Sequence, residues 1–330
     1  MAMAGSERVR VVFGQPHFSD RHSWENVVDH FPPGLSDRVV VETVEPNRLA
    51  EHLRRRGGVD VIVPVMSAVS AEVFAAGVGL VQQFGVGVER IDLAAAHSYR
   101  TPVANMPGLN AGFVAERGVA LLLSLLHRLP EARQGFAEGA WSTPSGRSLS
   151  GSTGCVIGLG AVGTALIERL APFHGHILGV HRTPPAPGAV SPAIELVHTC
   201  DIETAVRRSD WVIMAATNRA GAGPILTAEL IGVLPESAIV VNVARGGAID
   251  NDAALAALHA GRLGGLGLDV FPIEPYPPDG PLLSHPGVLA TAHTAALTDA
   301  YFAAAAARLG EAVQAYLDES PVPNLVTERE

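Results

Sequence analysis

The chain has 330 residues, 48% of them hydrophobic, enough to bury a large core and to make two domains. Its formal net charge of −10, with both signs interspersed, argues against a nucleic-acid partner, and no apolar run approaches the roughly 18 residues of a membrane span. Cys155 and Cys200 make neither a disulfide framework nor a metal cluster, and all 23 cationic side chains are arginine, which removes Schiff-base and P-loop lysine chemistry. In chain order, "VRVVFG" (9–14), "RVVVETV" (38–44), "DVIVPV" (60–65), "GLVQQFG" (79–85) and "TPVANMP" (101–107) read as buried strands, with helices such as 47–57 between them. A long apolar helix is expected over 110–129 and a surface loop over 142–153. A second series follows, with strands at 154–159, 176–181, 211–216, 238–244, 265–271 and 287–293, a Pro-rich loop at 184–193, and an Ala-rich helix over 299–317. The fold class is α/β, with two doubly wound parallel sheets.

Within "GCVIGLGAVGTALIERL", Gly158, Gly160 and Gly163 form G-x-G-x-x-G between an apolar strand and an amphipathic helix. The glycines allow a tight turn, close approach to a pyrophosphate and close helix–strand packing, and Ala161 and Val162 offer N–H groups at the helix start. An acid about 20 residues on is the usual partner of the NAD ribose 2′-hydroxyl. "GVHRTPP" places His181, Arg182 and Thr183 there instead, a set that favours a 2′-phosphate, so NADP(H) is expected over NAD(H). The fingerprint starts mid-chain, so the nucleotide domain is inserted into another α/β unit. The expected domains are 1–107 with 297–330, and 108–296.

Over residues 60–300 the sequence resembles the D-isomer-specific 2-hydroxyacid dehydrogenases. The resemblance is carried by "FGVGVERIDLAAA" (84–96), "TPVANMPGLNAGFVAE" (101–116), "VIGLGAVG" (156–163), "VNVARGGAIDNDAALAALHAGRLGGLGLDVFPIEP" (241–275) and "PGVLATAH" (286–293). It implies a Rossmann domain inserted into a flavodoxin-like substrate domain, and a triad of Arg245, Glu274 and His293. Arg245 would bind the substrate carboxylate and keto oxygen, Glu274 would pair with the imidazole, and His293 would be the general acid/base. It also implies cofactor contacts at Thr217, Ala244 and Asp269, and substrate contacts at Ser67, Val86 and Gly87. The expected reaction is reversible reduction of a small 2-keto acid, glyoxylate or hydroxypyruvate, to the D-2-hydroxy acid. Glu274 argues against a formate dehydrogenase, which carries Gln there. Members acting on phosphoglycerate or phosphite remain alternatives, as does a nucleotide-sensing corepressor-like binding protein.

Several positions depart from the family pattern. Ala292 and Ala296 replace its Pro and Gly, 214–226 lacks its proline, and Glu89 replaces its Asp. The resemblance implies a homodimer; the apolar helix 113–126 and the segment around Trp141 are consistent with its surface and equally with core. The opening "MAMAGSERVRVVFG" lacks the apolar stretch of a secretory signal, so a cytoplasmic location is expected.

Overall fold

Short β-branched runs alternate with helices along the chain, and each strand pairs in parallel register within one of two sheets. The computed structural model describes residues 8–15, 17–19, 21–141, 145–173, 175–186, 188–191, 194–216 and 222–326. By internal contacts the chain divides into two units: residues up to Asn110 with those from Leu297 onward, and Ala111–Ala296.

The first unit holds β1 (Val9–Phe13), β2 (Val39–Thr43), α1 (Leu49–Arg56), β3 (Val59–Val63), α2 (Ala71–Ala75), β4 (Val78–Gln82), α3 (Leu93–Ser98) and β5 (Val103–Ala104). The sheet order is β2-β1-β3-β4-β5. The C-terminal helix, Asp299–Leu317, returns to this unit and starts at Thr298, whose hydroxyl accepts the Tyr301 N–H. It is fastened by an aromatic cluster. Phe13 stacks on Trp24 at 4.2 Å, Trp24 meets Phe84 edge-on, and Tyr301 donates its hydroxyl to the Phe84 carbonyl at 3.1 Å. Full burial of each such ring contributes about 1.5–3 kcal/mol.

The second unit runs α4 (Ala111–Leu126), α5 (Leu129–Ala137), β6 (Thr153–Ile157), α6 (Ala161–Leu170), β7 (His176–His181), β8 (Glu195–His198), α7 (Ile202–Arg207), β9 (Trp211–Met214), α8 (Ala228–Gly232), β10 (Ala238–Asn242), α9 (Asn251–His259), β11 (Leu263–Leu268), α10 (Pro281–Ser284) and β12 (Val288–Ala290). Its sheet order is β12-β11-β10-β9-β6-β7-β8. β9 is the middle strand, and the order reverses between β6 and β9, which opens a crevice at the carboxyl ends of the strands. Gly265 and Gly267 in β11 let α4 lie close, because a Cβ at either would stand 3.1–3.2 Å from Leu125 and Leu121.

Three expectations need correction. The helix over 110–129 is two helices: Arg128 takes a left-handed φ of 52° and Pro130 then opens α5. The strand over 101–107 shrinks to Val103–Ala104, since Pro102 has no N–H and the Asn105 N–H turns to the Asn324 carbonyl. The Pro-rich stretch leads into an additional edge strand, β8, whose alternating half-buried and exposed residues carry a weak apolar signal.

Candidate active site

The second unit brings two members of the expected triad into direct contact. His293 Nδ1 lies 2.8 Å from Glu274 Oε2, while Glu274 Oε1 accepts the Phe271 N–H at 3.0 Å. Both carboxylate oxygens are thereby aimed, and the imidazole is left 38% exposed on its other side. Arg245 follows β10 on a turn held by fully buried Asn242, whose side chain donates to the Arg245 carbonyl at 2.9 Å and accepts the Ala244 N–H at 3.1 Å. Gly246 lets that turn lie against the backbone that leads to Glu274: a Cβ there would stand 1.9 Å from the Phe271 carbonyl. Ala244 is buried beneath the same turn.

Asp269, expected at the cofactor, is tied into the loop that follows β11. It is 1% exposed. Its Oδ1 accepts the Thr291 hydroxyl at 2.6 Å and the Thr294 N–H at 3.0 Å, and its Oδ2 accepts the Ala295 N–H at 3.0 Å. Its own carbonyl accepts the His293 N–H at 2.7 Å. The carboxylate is thus the hub of the loop that carries His293, which takes a positive φ of 53°. A non-glycine residue in that conformation is held by its surroundings, and here these four bonds hold it.

The glycine turn lies between β6 and α6. Gly158 has φ +102°, and a Cβ there would meet the Ala216 N–H at 2.6 Å; at Gly163 it would meet the Gly158 carbonyl at 1.8 Å. At Gly160 a Cβ would meet nothing within 4 Å. Two glycines therefore close the packing and the third faces open space. The N–H groups of Ala161 and Val162, opening the ten-residue α6, have no acceptor among the described residues. At the end of β7, His181 is half-buried and Arg182 and Thr183 are exposed. The cross-strand partner of His181 is His198 of β8, with ring centroids 5.8 Å apart in an edge arrangement. Thr217 lies outside the described residues.

In the first unit, Ser67 is buried and its hydroxyl donates to the Gly14 carbonyl. That bond ties the turn after β3 to the end of β1. Val86 and Gly87 sit on a loop whose carbonyls are occupied: Asn105 donates to Val86 at 2.8 Å and Gln83 to Gly87 at 2.9 Å. Gln83 also reaches the carbonyl of Val65, a β-branched residue with φ 54°. The N–H groups of Val86 and Gly87 have no acceptor among the described residues. Asn242, Gln83, Asn105 and His198 were not singled out by the sequence. Asn105 and Asn242 lie inside recognised motifs, but their side-chain partners are backbone groups that only the folded turns define.

The sequence profile of "D-isomer specific 2-hydroxyacid dehydrogenase, NAD binding domain" matches residues 119–295. A D-3-phosphoglycerate dehydrogenase of Methanocaldococcus jannaschii is 34% identical over 244 residues, covering 73% of this chain and 46% of that protein. The chain thus spans less than half the length of that relative. A hydroxypyruvate reductase of Thermotoga maritima is 33% identical over 249 residues, covering 73% of this chain and 79% of that one. Among solved structures, a 2-hydroxyacid dehydrogenase from Ketogulonicigenium vulgare matches with a TM-score of 0.78 and 25% identity, over 97% of this chain and 99% of the other.

Proposed function

The chain belongs to the D-isomer-specific 2-hydroxyacid dehydrogenase family, and from that premise we propose that it reduces a small 2-keto acid, of the glyoxylate or hydroxypyruvate type, reversibly to the D-2-hydroxy acid. The observation that carries this reading is the 2.8 Å pair of His293 Nδ1 and Glu274 Oε2, in the same unit as the glycine turn.

A bound dihydronicotinamide supplies the hydride; the side chains handle the proton and the negative charge. An ionised Glu274 only accepts, so it keeps a proton on His293 Nδ1. Nε2 is then an acid when the ring is cationic and a base when it is neutral. In reduction, the imidazolium gives its Nε2 proton to the keto oxygen as carbon gains hydride; in oxidation, neutral Nε2 takes the hydroxyl proton. The Arg245 guanidinium grips the carboxylate and steadies the charge developing on oxygen. Within the first unit, the N–H groups of Val86 and Gly87 offer donors to an anion, with Gln83 and Asn105 holding their loop. NADP(H) is the preferred cofactor, because His181, Arg182 and Thr183 stand where an acid would receive the ribose of NAD(H).

Steady-state reduction of glyoxylate, hydroxypyruvate and phosphohydroxypyruvate with NADPH and NADH tests the reading. His293→Ala should lower kcat by about 10²–10⁴-fold with cofactor binding retained. Arg245→Ala should raise KM and lower kcat together. Near-wild-type turnover in either folded variant overturns the mechanism. Leu129, Phe136 and Trp141, 53%, 65% and 91% exposed, support a homodimer formed through this face of the second unit. Trp141→Glu should move the protein toward monomer in size-exclusion chromatography.

A further inference from the structure

We infer that His198, on edge strand β8, completes with His181, Arg182 and Thr183 a site built of donors alone for the 2′-phosphate of the dinucleotide; this rests on the NADP(H) reading above. Strands β7 and β8 run parallel with His181 opposite His198, so their carboxyl ends bring the two rings to one corner of the sheet. Ligands of open α/β sheets bind at such carboxyl ends.

The two rings show what that corner can recognise. His198 Nδ1 accepts the Cys200 N–H at 3.2 Å, which places the proton of the neutral ring on Nε2, and the side chain is exposed. His181 Nδ1 is buried without a partner. A buried, unpaired N–H is rarer than an unpaired acceptor, so the proton of this ring also belongs on Nε2. Each ring thus offers an N–H and keeps its lone pair occupied or enclosed. Arg182 is a donor only, and the Thr183 hydroxyl can donate. A ribose 2′-hydroxyl needs an acceptor for its proton, and these groups supply little to receive it. A phosphate supplies acceptor oxygens alone, which match a set of donors.

The acid groups of these strands lie elsewhere. Glu195 begins β8 and His176 begins β7, and with Arg208 they form an ion-pair cluster at the opposite ends of the two strands. The next acid along the chain, Asp201, follows at the start of α7.

The test is equilibrium binding of adenosine 2′,5′-bisphosphate and of AMP to the full chain by calorimetry, since the two probes differ only in the 2′-phosphate. The wild type should bind the bisphosphate at least about 10-fold more tightly, the range of one charge-assisted hydrogen bond. His198→Ala should cut that ratio several-fold while leaving the AMP affinity unchanged, and His198→Gln, which keeps a donor, should restore part of it. A ratio that survives His198→Ala but collapses in Arg182→Ala overturns the role of His198 and leaves the cofactor reading standing. A wild type that binds both probes alike overturns the cofactor reading, and the inference with it.

Discussion

Replacing Asp269 by asparagine separates two roles for the same carboxylate. The aspartate accepts three hydrogen bonds, from the Thr291 hydroxyl and the N–H groups of Thr294 and Ala295, at 1% exposure. Asparagine keeps one acceptor oxygen. In either orientation of the amide, its NH₂ group faces a backbone N–H, so one donor loses its partner. A hydrogen bond to a charged group is worth about 1.5–3 kcal/mol and a stranded buried donor about 1–3, so a net loss of about 2–4 kcal/mol is expected. For a unit of this size that lowers Tm by about 5–15 °C. The loop that slackens carries His293, and a shift of about 1 Å in a catalytic group can cost roughly 10²-fold in rate. The assays are thermal denaturation, kcat for keto-acid reduction, and the dissociation constant of the dinucleotide by fluorescence. The expected pattern is a lower Tm and a lower kcat with nearly unchanged cofactor affinity. An unchanged Tm with a weakened dinucleotide complex would refute the positioning role and make Asp269 a cofactor ligand.

Three other outcomes follow from single observations. Gly163→Ala should abolish dinucleotide binding or unfold the turn, because its Cβ would stand 1.8 Å from the Gly158 carbonyl, whereas Gly160→Ala, with nothing within 4 Å, should fold normally and lose affinity by crowding the phosphate; equal behaviour of the two variants in calorimetry would count against this division. Burial pushes the Cys155 thiol up to about 12, so a thiol reagent should titrate only exposed Cys200 in the native protein and both cysteines in denaturant. Desolvation and then the neighbouring His259 hold His285 below its ordinary value, so the unfolded chain binds the extra proton first and stability declines as pH falls through about 6.5. His285→Gln should flatten that slope in denaturant titrations across pH 5–8.

The two parallel sheets were legible because their signals are local, and the Glu274–His293 pair, 19 residues apart, because each member sits in a short motif of the family it resembles. A β-branched run closed by Gly or Pro is a strand in almost any context, and "VIGLGAVG" or "VFPIEP" keeps its residues within a few positions of one another. Strand β8 was not legible, since an edge strand buries little and its burial alternates over only four residues. Without β8, His198 has no address, and the corner beside His181 reads as a loop cation with a hydroxyl. The break at Arg128 was missed for another reason: His127 and Arg128 interrupt the apolar run for only two residues before Leu129, and the left-handed turn they make shows only in the backbone.

Asp269 marks the boundary between what a motif conveys and what the fold adds. From sequence, an acid at the end of a nucleotide-domain strand is a ligand for something charged or polar outside the protein. In the structure its partners are inside: a hydroxyl and two N–H groups from a loop more than twenty residues away along the chain. Those bonds form only once β11 and β12 are side by side, with Leu268 opposite Ala290. The register of two short strands therefore decides where the proton donor stands. It also explains how the loop tolerates Ala292 and Ala296 in place of the family's proline and glycine. The backbone around His293 is fixed by the Asp269 carboxylate from below and by Glu274 at the ring, so its conformation does not depend on the stiffness of residue 292 or the freedom of residue 296. Ala292→Pro should accordingly leave kcat and Tm close to wild type. A large gain in either would show that the loop is held less firmly than these bonds imply.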